Sequence, residues 1–355
     1  MLTLKTSVCE TFGITYPIIQ AGMAGGATTP ELVAAVSEAG GLGTLGAAYM
    51  TPEQVEAAVE MIRSLTDQPF AVNFFAATPP DDYTNLAEVQ QVLRLFHAEL
   101  DIAEPQAPSQ TADFSSAIFG LCVDLRVPVI STAFGCLTTE QMRKAKAHGI
   151  RTTAMVTTVG EALEAEHAGV DAIVAQGSEA GGHRSMFSFD GTPAGTQIGL
   201  FSLVPQIVDA VKIPVIAAGG ITDGRGLIAA LALGAEGVQL GTRFLVAAEA
   251  GTHTVHKQAI FDSGDDSTVV TRSFSGRPAR GIKNRFIEEF EKSGTSPLPF
   301  PSQNTVTKEL RLAAAKNGNA DFLSLWAGQS AGMLKEEGTA ETIVQSLVAE
   351  AEKLI

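Results

Sequence analysis

Two residue types stand out where chemistry could be done: an amide and an imidazole separated by a glycine-rich turn. The run Ala172-Ile173-Val174-Ala175-Gln176 reads as a buried parallel strand, and Gly177-Ser178-Glu179-Ala180-Gly181-Gly182-His183-Arg184 breaks it. Gly181 and Gly182 let a backbone approach a flat or charged ligand, because glycine takes φ > 0 without strain. His183 then sits just past the C-terminal end of a strand, where α/β proteins bind ligands. The plain alternative is a tight turn with a solvated histidine. Two further glycine loops argue against it. Gly219-Gly220 follows the strand-like run Ile213–Ala218, and Gly241-Thr242 follows Gly237–Leu240. Exposed backbone N–H groups and a helix start form an anion site, so these loops are candidates for a phosphate cradle, with Thr242 adding a hydroxyl. Asn73 and Gln176 place amides at strand ends where apolar side chains are expected, and amides offer both donors and acceptors to a ring edge. Gly22-Met23 adds a close backbone and a soft side chain that can lie against a ring.

The elements that must position these groups follow from apolar runs and caps. Strands are expected at 14–20, 42–46, 70–75, 127–132, 151–156, 172–176, 213–218 and 237–241. Between them lie helical patterns, opened at Thr29-Pro30, Thr51-Pro52, Thr138 and Asp223 by capping residues. Eight strands alternating with helices favour a (β/α)8 TIM barrel over an open sheet. Residues 81–126 read as mostly helical with a break at 105–111, and helices are expected again at 320–326 and 338–353. The barrel is assigned to 1–250 and 317–355. The stretch 251–316, with Asp262-Ser263-Gly264-Asp265-Asp266 and Ser296-Pro297-Leu298-Pro299-Phe300-Pro301, reads as a smaller, substrate-side excursion over the mouth. No second segment shows a core of its own.

Composition removes other classes. The chain has 355 residues, 45% hydrophobic, with a formal net charge of −15. No basic stripe suits nucleic acid, and no apolar run of membrane-spanning length is present. Cys9, Cys122 and Cys136 lack metal-ligand or disulfide spacing, which points to free thiols in a reducing, cytoplasmic setting. His167, His253 and His256 read as surface or loop residues without metal context. No dinucleotide fingerprint follows a first strand. The sequence leaves the oligomeric state open, with a homodimer as one option.

Tyr16–Met23, Ala71–Phe74, Gln176–His183, Pro214–Ile221 and Gly237–Phe244 together resemble the nitronate monooxygenase (2-nitropropane dioxygenase) family, and Gly276–Arg280 and Trp326–Gln329 extend the resemblance. The resemblance implies FMN and oxidation of alkyl nitronates by O2 to a carbonyl compound and nitrite. It places the catalytic histidine at His183, and flavin contacts at Met23, Asn73, Gln176, Gly182, Gly220, Gly241, Thr242 and Gln329. A nitronate already has carbanion character, so His183 either hydrogen-bonds its oxygens or removes a carbon-bound proton from a neutral nitroalkane. Rival readings are an FMN-dependent enoyl-acyl-carrier-protein reductase using NAD(P)H, a phosphosugar enzyme, and a non-catalytic flavin-binding protein. The phosphosugar enzyme would want an inward lysine or carboxylate, and no lysine stands at a strand end. A carrier protein is acidic and calls for a basic docking surface; Arg272, Arg277, Arg280, Lys283 and Arg285 are the candidates.

Overall fold

Short apolar runs bounded by glycines become strands buried on both faces. A computed structural model describes residues 3–355. Its strands are β1 (Ile18–Gln20), β2 (Gly43–Gly46), β3 (Phe70–Phe75), β4 (Val129–Ala133), β5 (Arg151–Val156), β6 (Ala172–Gln176), β7 (Gly182–His183), β8 (Val215–Ala218), β9 (Gly237–Leu240), β10 (Thr268–Thr271) and β11 (Ala279–Ile282). All but β7, β10 and β11 form one parallel sheet in the order β1-β9-β8-β6-β5-β4-β3-β2. A parallel bridge between Ile19 and Leu42 joins its two edges, and the sheet closes as a (β/α)8 TIM barrel.

Strand parity explains where the site falls. Alternate residues point into the barrel. Ile19, Leu42, Ala71, Val129, Val174 and Ile216 pack inside it, and Val8 and Phe12 close its N-terminal end. A void of only about 10 Å³ remains in the barrel, so its interior has no room for a ligand. Two residues beyond Ala71, Val129 and Val174 on the same face stand Asn73, Ser131 and Gln176, which make the C-terminal layer of the barrel polar. The helices pack outside, with Thr29, Thr51, Thr138 and Asp223 each accepting a backbone N–H at a helix start.

The structure departs from expectation in three places. The first strand begins at Ile18, not Ile14, because Thr15 and Tyr16 donate to Gly40 O and Pro17 has no N–H for a ladder. A short helix, Ser7–Phe12, precedes it. The expected helix at 320–326 is a single 3-10 turn, Ala320–Phe322. A second buried cluster also exists. It joins Val89, Leu93 and Phe96 of the helix Leu86–Glu99 to Phe274, Phe286, Phe290, Leu310 and Phe322. Neither segment has a core alone; each supplies half. β10 and β11 pair antiparallel, and β11 also pairs with β7, Ala279 opposite His183. Among the described residues no helix is long and apolar enough to cross a membrane.

Phe12 is 4% exposed and plugs the barrel far from the mouth. Phe12→Ala should cost about 3–5 kcal/mol of stability in urea unfolding, the usual price of a large core truncation, with the mouth chemistry unchanged.

Candidate active site at the barrel mouth

The His183 loop is fixed by arginines and amides. Arg184 is 0% exposed. Its Nη1 donates to Gly177 O (2.6 Å), its Nη2 to Gln176 O (3.0 Å) and its Nε to Thr196 O (3.1 Å). Arg277 donates through Nε to Arg184 O (3.2 Å) and through Nη2 to Met186 O, and its guanidinium lies 3.8 Å above the Phe134 ring. Arg280 donates through Nε to Ser178 O (2.9 Å). Desolvation pulls Arg184 and Arg277 down to about 10, so both stay charged at neutral pH. Gln176 closes the turn: its Nε2 donates to His183 O (2.9 Å) and its Oε1 accepts from Ser185 N (2.9 Å). Its amide, expected to face a ligand, is therefore largely engaged within the loop.

His183 itself is neutral. Burial, and then the charges of Arg277 and Arg311, bring its pKa down to about 3. Its Nε2 is buried and has no partner among the described residues. Aromatic rings surround it: Phe134 at 6.0 Å, Phe300 at 5.9 Å and Trp326 at 5.6 Å between centroids. Phe75 stacks on Phe134 at 4.5 Å, and Tyr49 meets Phe75 edge-on at 5.5 Å. Phe134 holds φ of 64°, a left-handed conformation that a bulky residue rarely adopts. Its N–H is tied to Ser185 Oγ (3.1 Å), and this aims the ring at the histidine.

Tyr49 is 45% exposed, and yet its phenol is pushed up to about 12, mainly by desolvation. Tyr49, Phe75, Phe134 and Arg311 were not picked out from the sequence. Tyr49 and Phe134 follow β2 and β4 at C-terminal strand ends, so position was the available signal. Arg311, on the helix Lys308–Lys316, carried none.

The other expected residues meet at the same mouth. Asn73 donates to Ser131 Oγ (3.1 Å) and Ser131 O (3.3 Å). Gly22 packs against it, and a Cβ there would lie 2.5 Å from Asn73 Cβ. Met23 is half-buried, and its Sδ would lie 3.7 Å from a Cβ placed on Gly241. Gly219 and Gly220 have φ of 124° and 70°, and neither they nor Gly241 donate a backbone N–H to another described residue. A Cβ on Gly182 would enter open space, whereas one on Gly181 would lie 2.5 Å from Ala327 C. Thr242 Oγ1 accepts from Gly328 N (2.9 Å), which leaves its proton free to donate outward. Gln329 is exposed, and its N–H donates to Glu179 O (2.9 Å). Glu179's carboxylate caps the helix Leu200–Ala210 through Leu200 N (2.9 Å).

Two expectations need correction. His256 is not a surface residue: it is half-buried on the helix Thr254–Phe261, its Nε2 meets Trp326 O at 3.1 Å, and burial brings its pKa down to about 4. The five basic residues at 272–285 do not gather into one exposed basic patch. Arg277 and Arg280 are buried, Arg272 is half-buried against Phe189, Lys283 pairs with Glu288 (2.9 Å), and Arg285 pairs with Glu99 (2.5 Å) and Glu289 (2.6 Å). A cleft of about 440 Å³ between Asp223, Arg243, Lys335 and Glu350 is lined by none of the predicted site residues.

The fold is a (β/α)8 barrel whose mouth brings together glycine loops with unpaired backbone N–H groups and a histidine whose pKa burial brings down to about 3. The nitronate monooxygenase family profile matches residues 5–350. A probable nitronate monooxygenase of Staphylococcus saprophyticus is 42% identical, with 100% of this chain and 99% of the relative covered. One from Staphylococcus aureus strain Newman is 40% identical, covering 99% and 98%. Among solved structures, a nitroalkane oxidase from Streptomyces ansochromogenes aligns with TM-score 0.90 at 39% identity over 98% of each chain. FabK from Thermotoga maritima aligns with TM-score 0.79 at 32% identity, covering 99% and 97%. The chain belongs to the nitronate monooxygenase family and is an oxidoreductase.

The histidine's ionisation has a measurable consequence. Its folded pKa lies below the ordinary 6.5, so stability is full above pH 6.5 and falls as pH drops toward 3, where only the unfolded chain takes the proton. The unfolding free energy of wild type relative to His183→Asn should therefore decline from pH 7 to pH 4. A flat difference would mean the imidazole is solvated.

Proposed function

We propose that the chain is an FMN-dependent enzyme that oxidises alkyl nitronates with O2 to a carbonyl compound and nitrite. The observation that supports it most is His183: neutral, unpartnered at Nε2, and set beside glycine loops with free N–H groups. A ring with a phosphate tail fits these residues. Gly219, Gly220, Gly241 and Thr242 would hold the phosphate, because N–H groups with no internal acceptor favour an anion. Met23 and the Gly181-Gly182 turn would lie against the ring, with Asn73, Gln176 and Gln329 at its polar edges. A single phosphate cradle and no dinucleotide fingerprint favour FMN over FAD. When bound, the flavin supplies the electron acceptor that passes reducing equivalents to O2.

The residues of this chain bind and orient. Phe75, Phe134, Phe300 and Trp326 exclude water from the carbon that reacts. His183 faces the substrate as a neutral imidazole, able to donate a hydrogen bond from one ring nitrogen and to accept one at the other. Its low basicity comes from desolvation and from Arg277 and Arg311. A nitronate needs no proton removed, so this imidazole suits a preformed anion. The segment 251–316 acts in this reading as the substrate-side cover.

Three experiments test the reading. The purified protein should be yellow, and mass spectrometry of the released group should find FMN. With a nitronate in air it should consume O2 and release nitrite without nicotinamide. Rapid NADH oxidation with a crotonyl thioester and no nitrite would instead establish an enoyl reductase, a reading disfavoured by the paired and buried basic residues at 272–285. His183→Asn should slow nitronates and neutral nitroalkanes to a similar extent, because a ring with a pKa of about 3 orients the substrate and is a poor base at neutral pH. A loss ~10²–10⁴-fold larger on neutral nitroalkanes would make His183 a general base instead.

A further inference from the structure

His183 has aromatic neighbours on three sides, and they are not held alike. Phe134 and Phe300 are each 6% exposed. Phe134 carries the Arg277 guanidinium at 3.8 Å and Phe75 at 4.5 Å, and Phe300 meets Phe75 at 5.9 Å and Phe134 at 5.8 Å. Rings at such spacings are in contact, and neither can turn without displacing the others. Trp326 stands on the third side, 5.6 Å from the imidazole, and of the three it alone is only half-buried. The indole therefore borders the side from which a molecule can approach the histidine.

The backbone under this half-exposed ring is fixed. Leu325 O accepts from Ile282 N (2.8 Å), and Trp326 forms an antiparallel bridge with Gly281 of β11. Trp326 O lies 3.1 Å from His256 Nε2. Ala327 is 1% exposed and packs on Gly181, where a Cβ would come within 2.5 Å of its carbonyl carbon. Gly328 N donates to Thr242 Oγ1 (2.9 Å), and Gln329 N to Glu179 O (2.9 Å). Every residue from Leu325 to Gln329 is thus tied to β11, to the helix Thr254–Phe261, to the His183 loop or to the glycine cradle. Gly281 sets the depth of the indole. A Cβ there would lie 2.9 Å from Trp326 Cε3, so glycine lets the ring settle against β11.

We infer that Trp326 is a specificity-determining wall of the substrate site, admitting nitronates with a compact alkyl group and turning away long ones. This rests on the mouth being the substrate site proposed above. A large rigid ring on a pinned backbone cannot retreat from a substrate that is too long. The rings that face it are also fixed, so the alkyl group has to fit the space between them. Phenylalanine rings offer no hydrogen bond to a polar tail, and discrimination falls on the size of the alkyl group. In an apolar pocket of this kind one methylene changes kcat/KM by about 10–200-fold.

The test compares Trp326→Phe, Trp326→Leu and Trp326→Ala with wild type in the full, FMN-loaded chain. The substrates are straight-chain nitronates from ethyl to hexyl. Straight-chain carboxylates of matching length serve as unreactive anions. Their Kd is read from flavin absorbance and, in wild type, from the emission of Trp326, the only tryptophan in the chain. Wild-type kcat/KM should fall with chain length. In Trp326→Ala the ratio of hexyl to ethyl kcat/KM should rise about 10–200-fold, mainly through KM. Trp326→Leu should fall between, and Trp326→Phe should stay near wild type. Carboxylate Kd should follow the same order, with short carboxylates perturbing the wild-type emission at lower concentration than long ones. An unchanged ratio in every variant overturns the proposal. So does an equal loss at every chain length with a lowered Tm, which makes Trp326 a structural strut. The carboxylates separate this inference from the reaction it rests on. A length preference that Trp326→Ala abolishes, in a protein that releases no nitrite, keeps the wall and removes the oxidation reading. Nitrite release with a flat length profile removes the wall and keeps the oxidation.

Discussion

Arg184 buries a full positive charge and meets it only with carbonyl oxygens. The structure of the mouth depends on that arrangement. Those carbonyls belong to Gln176, Gly177 and Thr196, the end of β6 and the chain that returns to it. A guanidinium has five donors in a fixed plane, so three carbonyls from separate places are pinned relative to each other. Arg277 then hangs from Arg184's own carbonyl and lies over Phe134, and Arg280 takes Ser178 O. The loop that carries His183 is thus set by cations. The pairing of β7 with β11 adds backbone bonds from a segment almost a hundred residues away. Substituting any of these arginines by an apolar residue would orphan carbonyls and free the loop together.

The same cations decide the chemistry available to the histidine. An imidazole in an aromatic box loses hydration, which alone lowers its pKa, and two nearby guanidiniums lower it further. The protein therefore presents a neutral ring inside a positive wall. Such a site stabilises negative charge on a bound molecule without supplying an acid. The aromatic rings have a second effect: they keep the local dielectric low, and this strengthens each interaction between the wall and an anion.

How much of this was legible from residues alone differs by element. The eight barrel strands were, because strands buried on both faces read as unbroken apolar runs between glycines. So were the caps at Thr29, Thr51, Thr138 and Asp223, since each is a local event. His183 and the Gly219-Gly220 and Gly241-Thr242 loops were visible because they follow strands directly. The helix Ser7–Phe12 was not, since six residues give less than two turns of pattern. Gln176 was read correctly as unusual, but its amide is mostly turned to its own loop, which only the position of Ser185 could reveal. The aromatic wall was invisible for a general reason. Tyr49, Phe75, Phe134 and Phe300 come from four separate segments, and nothing local to any of them signals the others.

The arginines behind the His183 loop bear on a paradox of charge. The chain is strongly acidic, at −15, yet its mouth is lined by arginines that have no acidic partners. Over long distances such a protein repels anions. In salt near 0.15 M the Debye length is about 8 Å, so distant surface carboxylates are screened before they oppose an incoming anion. Buried charges such as Arg184 are screened far less. The net charge therefore governs solubility and the approach of the ligand, and the local field governs binding.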